Sequence, residues 1–500
     1  MATERVVIVG AGIGGLTSAI ELAARGLEVT VLERAGAPGG KMREVQVGKA
    51  PLDAGPTVLT MRWVFEAICE AAGSSLAAEV DLEQAEVLAR HAWSASERLD
   101  LFADLERSAD AIAAFSGPAE RQRFLAFSED ARAIYRTLKE PFISATRPSP
   151  VGLVRRVGPG GLGGLINIKP FATMWSALGE HFRDPRLRQL FGRYATYCGS
   201  SPYAAPATLM LVAHVEQDGV WLVKGGMHQL AQVFAGLAQR LGATFRYQAE
   251  VSEITLERGR VDGVTLANGE RIPADAVIIN GDTNAVASGL FGKRVSRAVP
   301  ATPPPERSLS AITWNLVAKA EGFPLSRHTV FFSGDYQAEF DDILKHQRIP
   351  RAPTVYICAQ DRDAHDGPAP EGPERLLCLV NAPAIGDTHS FNRSEIEQCA
   401  QSTFGLLERC GLHIQQDPAH AQVTTPTVFE QLFPATGGAL YGRASHGWMA
   451  SFSRPGARTK IPGLYLAGGS THPGPGVPMA ALSGRLAAAS LTADRVSTKR

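Results

Sequence analysis

Apolar residues follow different patterns along the chain, and the first 34 positions are the most regular. Val6 to Val9 are consecutive, mostly β-branched apolar residues, which predicts a strand buried on both faces of a parallel sheet. Ile13, Leu16, Ile20, Ala23 and Leu27 then recur at helical spacing, and Gly26 is placed to close that helix. Glu28 to Leu32 return to strand character, with Glu33 at the strand end. The pattern predicts strand, loop, helix, strand.

Downstream, residues 62–210 are rich in helix-compatible stretches such as Asp104 to Lys139, with no second βαβ alternation. From Gly219, "GVWLVKGGMHQLAQVFAGLAQRLGATF" reads as strand, Gly-Gly turn and helix, with Leu230, Phe234, Leu237 and Leu241 on one face. Short strands follow, with turns at Arg258-Gly259 and Asn268-Gly269, and the last of them, Ala276 to Ile279, stops at Asn280-Gly281. "PATPPPE" at 300–306 reads as a linker, and a strand-rich stretch runs from there to about residue 415. Leu464 to Ala467 form another apolar run, Gly468 to Val477 a loop, and a helix of small residues follows Pro478. Apolar runs thus return in three separated parts of the chain, which predicts an interleaved nucleotide-binding unit of 1–61, 212–300 and 416–500. Residues 62–211 and 301–415 are expected to form a substrate-binding, membrane-facing unit.

A length of 500 residues with 45% hydrophobic and 20% charged residues suits a globular, multidomain protein. Lys plus Arg and Asp plus Glu both total 50, and this balance argues against a nucleic-acid binder. The six cysteines (Cys69, Cys198, Cys358, Cys378, Cys399, Cys410) form no CxxC pair and no zinc-like cluster, so no metal is expected and the thiols read as reduced and mostly buried. The apolar run behind Met1 to Arg5 breaks at Gly10 and reads as a strand rather than a leader peptide, and no apolar stretch approaches the ~20 residues of a membrane span.

Gly10, Gly12 and Gly15 spell G-x-G-x-x-G between the first strand and helix. The first glycine permits a tight turn, the second lets backbone approach a pyrophosphate, and the third lets helix meet strand. The helix start offers N–H groups and a positive dipole end to phosphate. Glu33 is placed to bond ribose hydroxyls and would repel a 2′-phosphate, which disfavours NADP. "AGAPGGKM" at 35–42 and "DAGPTV" at 53–58 have no place in a simple NAD unit. Both suit a longer cofactor, FAD, reaching to an isoalloxazine ring.

With these stretches, "SPYAAPA" at 201–207, "GVWLVKGGMHQLAQ", "HTVFFSGDYQAEFDDI" from His328 and "GLYLAGGSTHPGPGVP" resemble the FAD-dependent carotenoid desaturases of the bacterial phytoene-desaturase type. That group is related to amine oxidases and protoporphyrinogen oxidase. Within it, "DAGPTVLTMRWVFE" and "STHPGPGVPMAALSGR" look most like the hydroxycarotenoid 3,4-desaturases, also called methoxyneurosporene dehydrogenases. Many phytoene desaturases end in a THPGAGIPG-like segment, and Met479 after Pro478 departs from that pattern. The resemblance implies an α/β fold: a Rossmann-like FAD-binding domain interleaved with a mixed α+β substrate domain. Carried over, Gly10, Gly12, Gly14 and Gly15 line the pyrophosphate, and Glu33 with the adjoining Arg34 meets the adenosine end. Gly40, Lys41 and Met42 lie along the FAD, and Gly55, Pro56 and Thr57 lie near the isoalloxazine. Val251 presents its backbone to adenine, while Gly468, Gly469 and the turn Val477, Met479, Ala480 close over the flavin end.

The implied reaction removes two hydrogens from a saturated C–C bond beside a polyene, with hydride passing to flavin N5. Positive charge beside a polyene is delocalised, so a strong base is dispensable, and no catalytic residue is assigned. His472 and His228 are the candidate proton acceptors, against the plainer reading of loop histidines bonded to backbone. A 1-hydroxyl on the substrate needs a polar partner in an apolar tunnel, and the sequence names none. Residues 151–178, with Arg155, Arg156, Lys169 and Trp175 flanking an apolar stretch, are the candidate membrane-docking patch, against the alternative of a tunnel wall. The expected partners are a long apolar carotenoid, a peripheral contact with the inner or photosynthetic membrane from the cytoplasmic side, and quinone or oxygen as electron acceptor. The competing readings are a phytoene desaturase, a carotenoid isomerase, or a flavin-free isoprenoid carrier like the GDP-dissociation inhibitors.

Overall fold

The computed structural model describes residues 4–146 and 149–498, without the side chains of 159–163, 165–167 and 497–498. The strand Arg5–Val9 is the centre of a five-stranded sheet, in the order Leu464–Leu466, Ala276–Ile279, Arg5–Val9, Glu28–Leu32, Thr244–Arg246. All its pairings are parallel. Successive side chains leave opposite faces of a strand, and here each face has its own core. Val6 and Ile8 pack with Leu16, Ile20 and Ala481 under the helices. Val7 and Val9 pack with Val277, Ile279 and Leu466 beneath a three-stranded antiparallel sheet of Val251–Glu257, Arg260–Leu266 and Arg271–Pro273.

The helix Ile13–Ala23 is covered by the helix Val477–Thr498. A Cβ on Gly484 would lie 2.2 Å from the Gly14 carbonyl oxygen, so the two backbones touch there. Ser18 Oγ donates to the Gly484 carbonyl at 3.1 Å across the same contact. The small residues that follow, Ala487 and Ala488, are fully buried in this packing.

A second sheet has seven strands: Ala421–Thr424, Ser310–Ala318, Glu374–Ala382, Val355–Ala359, His328–Phe331, Val87–Ala92 and Arg98–Phe102. Two of these lie where the sequence pattern pointed elsewhere. Ala421–Thr424, in the span expected to join the nucleotide unit from residue 416, pairs with Ser310–Ala318 as an edge strand. The chain re-enters the five-stranded sheet only at Leu464. Val87–Ala92 is buried throughout, although it carries Arg90 and His91. Its strand character was hidden because Arg90 is neutralised by partners on other segments, Asp100 of the neighbouring strand at 2.6 Å and the distant Asp366 at 2.7 Å. The stretch 104–139 is two helices, Leu105–Ser116 and Pro118–Leu138, divided at Gly117 with φ of 94°. No helix among the described residues is long and apolar enough to cross a membrane.

Candidate cofactor and substrate site

Four glycines are required by contact, not only by motif. A Cβ on Gly10 would lie 2.6 Å from the Asn280 carbonyl oxygen, and one on Gly15 2.1 Å from the Gly10 oxygen. Cβ atoms on Gly12 and Gly14 would each lie 2.7 Å from the Asn280 side chain. The N-cap of the helix Ile13–Ala23 is Gly12, which has no side-chain cap, and no acid lies in the first turn. The helix therefore presents its first N–H groups to a ligand. Asn280 escaped the sequence reading. It ends the strand Ala276–Ile279, its Nδ2 donates to the Gly10 carbonyl at 3.2 Å, and its Oδ1 lies against the Gly14 and Gly468 backbones. Its only signal was its place at the end of a core strand.

Glu33 stands at the mouth of this loop. Its Oε2 accepts from the Ala11 N–H at 2.6 Å and its Oε1 from the Ala35 N–H at 2.8 Å. Its backbone is bonded to Arg246 and Ala249, which brings the start of the strand Val251–Glu257 alongside. Val251 is buried there. Arg34 is exposed and donates to the Leu432 carbonyl.

The second glycine turn lies directly on the first. Gly39 N–H donates to the Ala11 carbonyl at 2.8 Å, and a Cβ on Gly40 would meet Gly12 Cα at 3.2 Å. A Cβ on Gly55 would lie 1.8 Å from the Lys41 carbonyl oxygen, so "GGKM" and "DAGPT" are in backbone contact. Lys41 Nζ donates to the Leu440 carbonyl at 2.6 Å and lies 5.3 Å from the Phe433 ring centroid. Burial lowers its pKa. Asp53 accepts from the backbone N–H groups of Met227 and His228 at the start of the helix Met227–Arg240. Burial raises its pKa, against the pull of those two N–H groups.

The terminal loop is held from beneath. Gly468 N–H donates to Ser483 Oγ at 2.7 Å, and the buried Arg454 donates to the Gly469 and Tyr441 carbonyls, each at 3.1 Å. Burial pulls the Arg454 pKa to about 10. Val477 and Ala480 are buried, Met479 packs partly buried against the main core, and the Ala480 carbonyl faces Gly14. His472 is bonded through Nε2 to the Phe142 carbonyl at 2.9 Å, and His228 through Nδ1 to the Met42 carbonyl at 2.9 Å. A carbonyl only accepts, so each of those nitrogens carries the proton. Burial pushes the His472 pKa down to about 4 and keeps its ring neutral.

Opposite the "DAGPT" loop, the seven-stranded sheet presents a polar cluster. Thr57 Oγ1 lies 2.6 Å from Tyr356 Oη, which lies 2.7 Å from His328 Nδ1. Burial pushes the His328 pKa to about 3. Arg193 lies over the Tyr356 ring, 5.4 Å from its centroid. Thr57 was named from the sequence, but Tyr356, His328 and Arg193 were not assigned to the site, because each is an unremarkable member of its own segment.

The patch read from residues 151–178 divides in the structure. Val151 and Val154 are exposed at 80% and 48%, beside exposed Arg155 and Arg156. Lys169 is paired with Glu180. Trp175 turns inward against Tyr203 at 4.6 Å, which removes it from any docking face. Exposed Phe171 instead meets exposed Trp448 at 5.3 Å. The side chains of 159–163 and 165–167 lie outside the described residues.

A parallel sheet with an uncapped glycine helix start defines a dinucleotide-binding protein. The chain belongs to the flavin-containing amine oxidoreductase family, whose model matches residues 13–492, and its cofactor is FAD. It is 57% identical over 499 residues to the hydroxyneurosporene desaturase of Rubrivivax gelatinosus, covering 100% of this chain and 95% of that one. It is 44% identical to the hydroxyneurosporene desaturase of Cereibacter sphaeroides, covering 99% of each. Among solved structures, an oxidoreductase from Methanosarcina mazei shares the fold, with a TM-score of 0.62 and 16% identity over 98% of this chain and 100% of that one.

Proposed function

We propose that this protein is an FAD-dependent desaturase that forms the C3–C4 double bond of 1-hydroxy or 1-methoxy acyclic carotenoids such as 1-hydroxyneurosporene. The observation that carries this reading is the full-length 57% identity to a hydroxyneurosporene desaturase. Two hydrogens leave C3 and C4, one as hydride and one as a proton, and the new π bond forms between those carbons. Bound FAD supplies the hydride acceptor at N5.

The residues divide that work. Gly10, Gly12, Gly14 and Gly15 leave room for the pyrophosphate, and the uncapped N–H groups of the first helix bind it. Glu33 and Arg34, with Val251, serve the adenosine end. Gly40, Lys41 and Met42 run along the cofactor, and Gly55, Pro56 and Thr57 carry it to the seven-stranded sheet. Gly468, Gly469, Val477, Met479 and Ala480 cover the flavin end. His228 and His472 each donate one ring N–H to a backbone carbonyl, which leaves the other ring nitrogen as a proton acceptor, so both stay candidates for the substrate proton, with burial opposing protonation of His472. The proton leaves the carbon next to the positive charge that hydride loss creates, and because the polyene delocalises that charge a weak proton acceptor suffices.

The substrate dissolves in lipid, so the enzyme meets a membrane. We place the contact at Val151, Val154, Phe171, Trp448 and Met449, all exposed, with Arg155 and Arg156 beside them for anionic headgroups. This fits peripheral association on the cytoplasmic side of the inner or photosynthetic membrane. A quinone or oxygen reoxidises the flavin.

The deciding experiment incubates the flavin-loaded protein anaerobically with 1-hydroxyneurosporene or phytoene in liposomes, following flavin bleaching and product chromatography. Bleaching by the hydroxylated substrate with a new C3–C4 double bond is the expected result. Reaction with phytoene instead moves the protein to another branch of the family, and a colourless preparation removes it from enzymes.

A further inference from the structure

We propose that Arg193 is the specificity-determining anchor for the substrate oxygen: its buried guanidinium, set beside the flavin end of the cradle, donates to the C1 oxygen and so places C3 and C4. This rests on the carotenoid reading above and supplies the polar partner that the sequence did not name.

Arg193 opens the 3-10 segment Arg193–Cys198 and is 9% exposed. A guanidinium has five N–H donors and no acceptor. Its side chain makes one hydrogen bond among the described residues, from Nη1 to Tyr197 Oη at 3.3 Å. Tyr197 Oη in turn donates to Glu216 Oε1 at 2.9 Å, and Tyr194 Oη donates to Glu216 Oε2. The carboxylate that balances the cation is therefore occupied on both oxygens and reaches Arg193 only through Tyr197. Burial opposes the charge on Arg193, but the hydrogen bond to Tyr197 and the Glu216 carboxylate outweigh it, and the guanidinium stays protonated. Its other donors have no hydrogen-bond partner among the described residues and are not among the fully enclosed side-chain atoms, so they border space that a ligand can enter.

The walls of this position contain more of the same. Tyr336 Oη and His328 Nε2 are buried and have no hydrogen-bond partner, and both residues feel the Arg193 charge. The rings of Tyr197 and Tyr356 face the guanidinium at 5.2 and 5.4 Å. Around them the substrate unit is apolar, with Phe191, Phe332 and Phe340 almost fully buried.

Position decides the ligand. Tyr356 connects Arg193 to Thr57, on the loop assigned to the isoalloxazine. In a 1-hydroxylated chain the oxygen is three bonds from C3, within about 5 Å of both reacting carbons at ordinary bond lengths. An anchor for that oxygen must stand beside the flavin, and Arg193 does. Because arginine only donates, it takes a hydroxyl or a methyl ether oxygen alike, while a polyene without oxygen leaves it unpaired.

The test compares kcat and KM for 1-hydroxyneurosporene and its 1-deoxy analogue in liposomes, in wild type, Arg193→Met and Arg193→Lys, with flavin occupancy measured for each. Wild type is expected to prefer the hydroxylated chain by about 100-fold or more in kcat/KM. Arg193→Met is expected to collapse that preference at least tenfold, chiefly through KM for the hydroxylated chain, and Arg193→Lys to restore part of it. If Arg193→Met loses its flavin, Arg193→Lys, which keeps the charge beside Glu216, carries the comparison, with a reduced preference expected. Equal losses on both substrates, or a preference that survives substitution, overturn the anchor alone. A wild-type enzyme that reduces its flavin equally with both chains overturns the substrate reading and the anchor together.

Discussion

Asp53 and Met227 are joined across 174 residues of sequence: the Asp53 carboxylate accepts the Met227 backbone N–H at 2.5 Å and the His228 N–H at 3.0 Å. The helix Met227–Arg240 begins at Gly226, which has no side chain to cap it, so the cap comes from the "DAGPTV" strand. The same residue fixes the loop that carries Gly55 to Thr57, because Gln360 bonds both the N–H and the carbonyl of Asp53. Asp53→Ala leaves two N–H groups uncapped and is expected to cost about 1–3 kcal/mol. Thermal unfolding and the flavin-to-protein absorbance ratio of the purified variant are both expected to fall.

Gly484→Val tests the contact between the first and last helices. With 2.2 Å between its added Cβ and the Gly14 oxygen, the terminal helix must shift. That shift moves Ala480 and Gly468, which face Gly14. Overpacking of this kind costs about 1–3 kcal/mol, and FAD affinity is expected to drop at least tenfold. A variant that titrates with FAD like the wild type would show that the helix moves independently of the cradle.

Glu339 sets a pH dependence. Burial pushes its pKa up to about 7, against hydrogen bonds from Thr354, Asn381 and Ser333, and Tyr203 and Tyr336 lie around it. The folded protein therefore holds a proton that the unfolded chain, with a glutamate pKa of about 4.3, has released. Stability contributed by this group is full below about pH 4, declines as pH rises and is lost above about pH 7. Glu339→Gln carries no such charge. Its melting temperature is expected to exceed that of the wild type by about 2 °C or more at pH 8 and to approach it as the pH falls to about 4. Parallel curves would place the titration elsewhere.

The docking patch is tested by Val151→Asp combined with Phe171→Ser and Trp448→Ser. All three side chains are exposed, so the fold and its flavin are expected to be retained. Co-sedimentation with anionic liposomes is expected to fall at least fivefold. Undiminished sedimentation would remove this face as the membrane contact.

The sequence alone determined the nucleotide-binding unit's local chemistry. Strand, Gly10 loop, helix, strand and Glu33 are contiguous, and their spacing follows from helix and strand periods that need no distant partner. The second turn at Gly39 and Gly40 and the loop at Gly55 were legible because glycine there answers to backbone geometry. Tertiary structure decided everything made by meeting. Asn280 is an ordinary strand end until Gly10, Gly14 and Gly468 close on it. Val87–Ala92 does not read as a buried strand until Asp100 and Asp366 neutralise Arg90. Ala421–Thr424 becomes an edge of the seven-stranded sheet only through its pairing with Ser310–Ala318. Arg193 has no motif around it, and its character comes from burial beside Tyr356 and from a carboxylate, Glu216, already committed to two tyrosines. Periodicity and glycine geometry act over a few residues and are written in order along the chain, whereas desolvation and charge pairing depend on what the fold brings near, which no local pattern records.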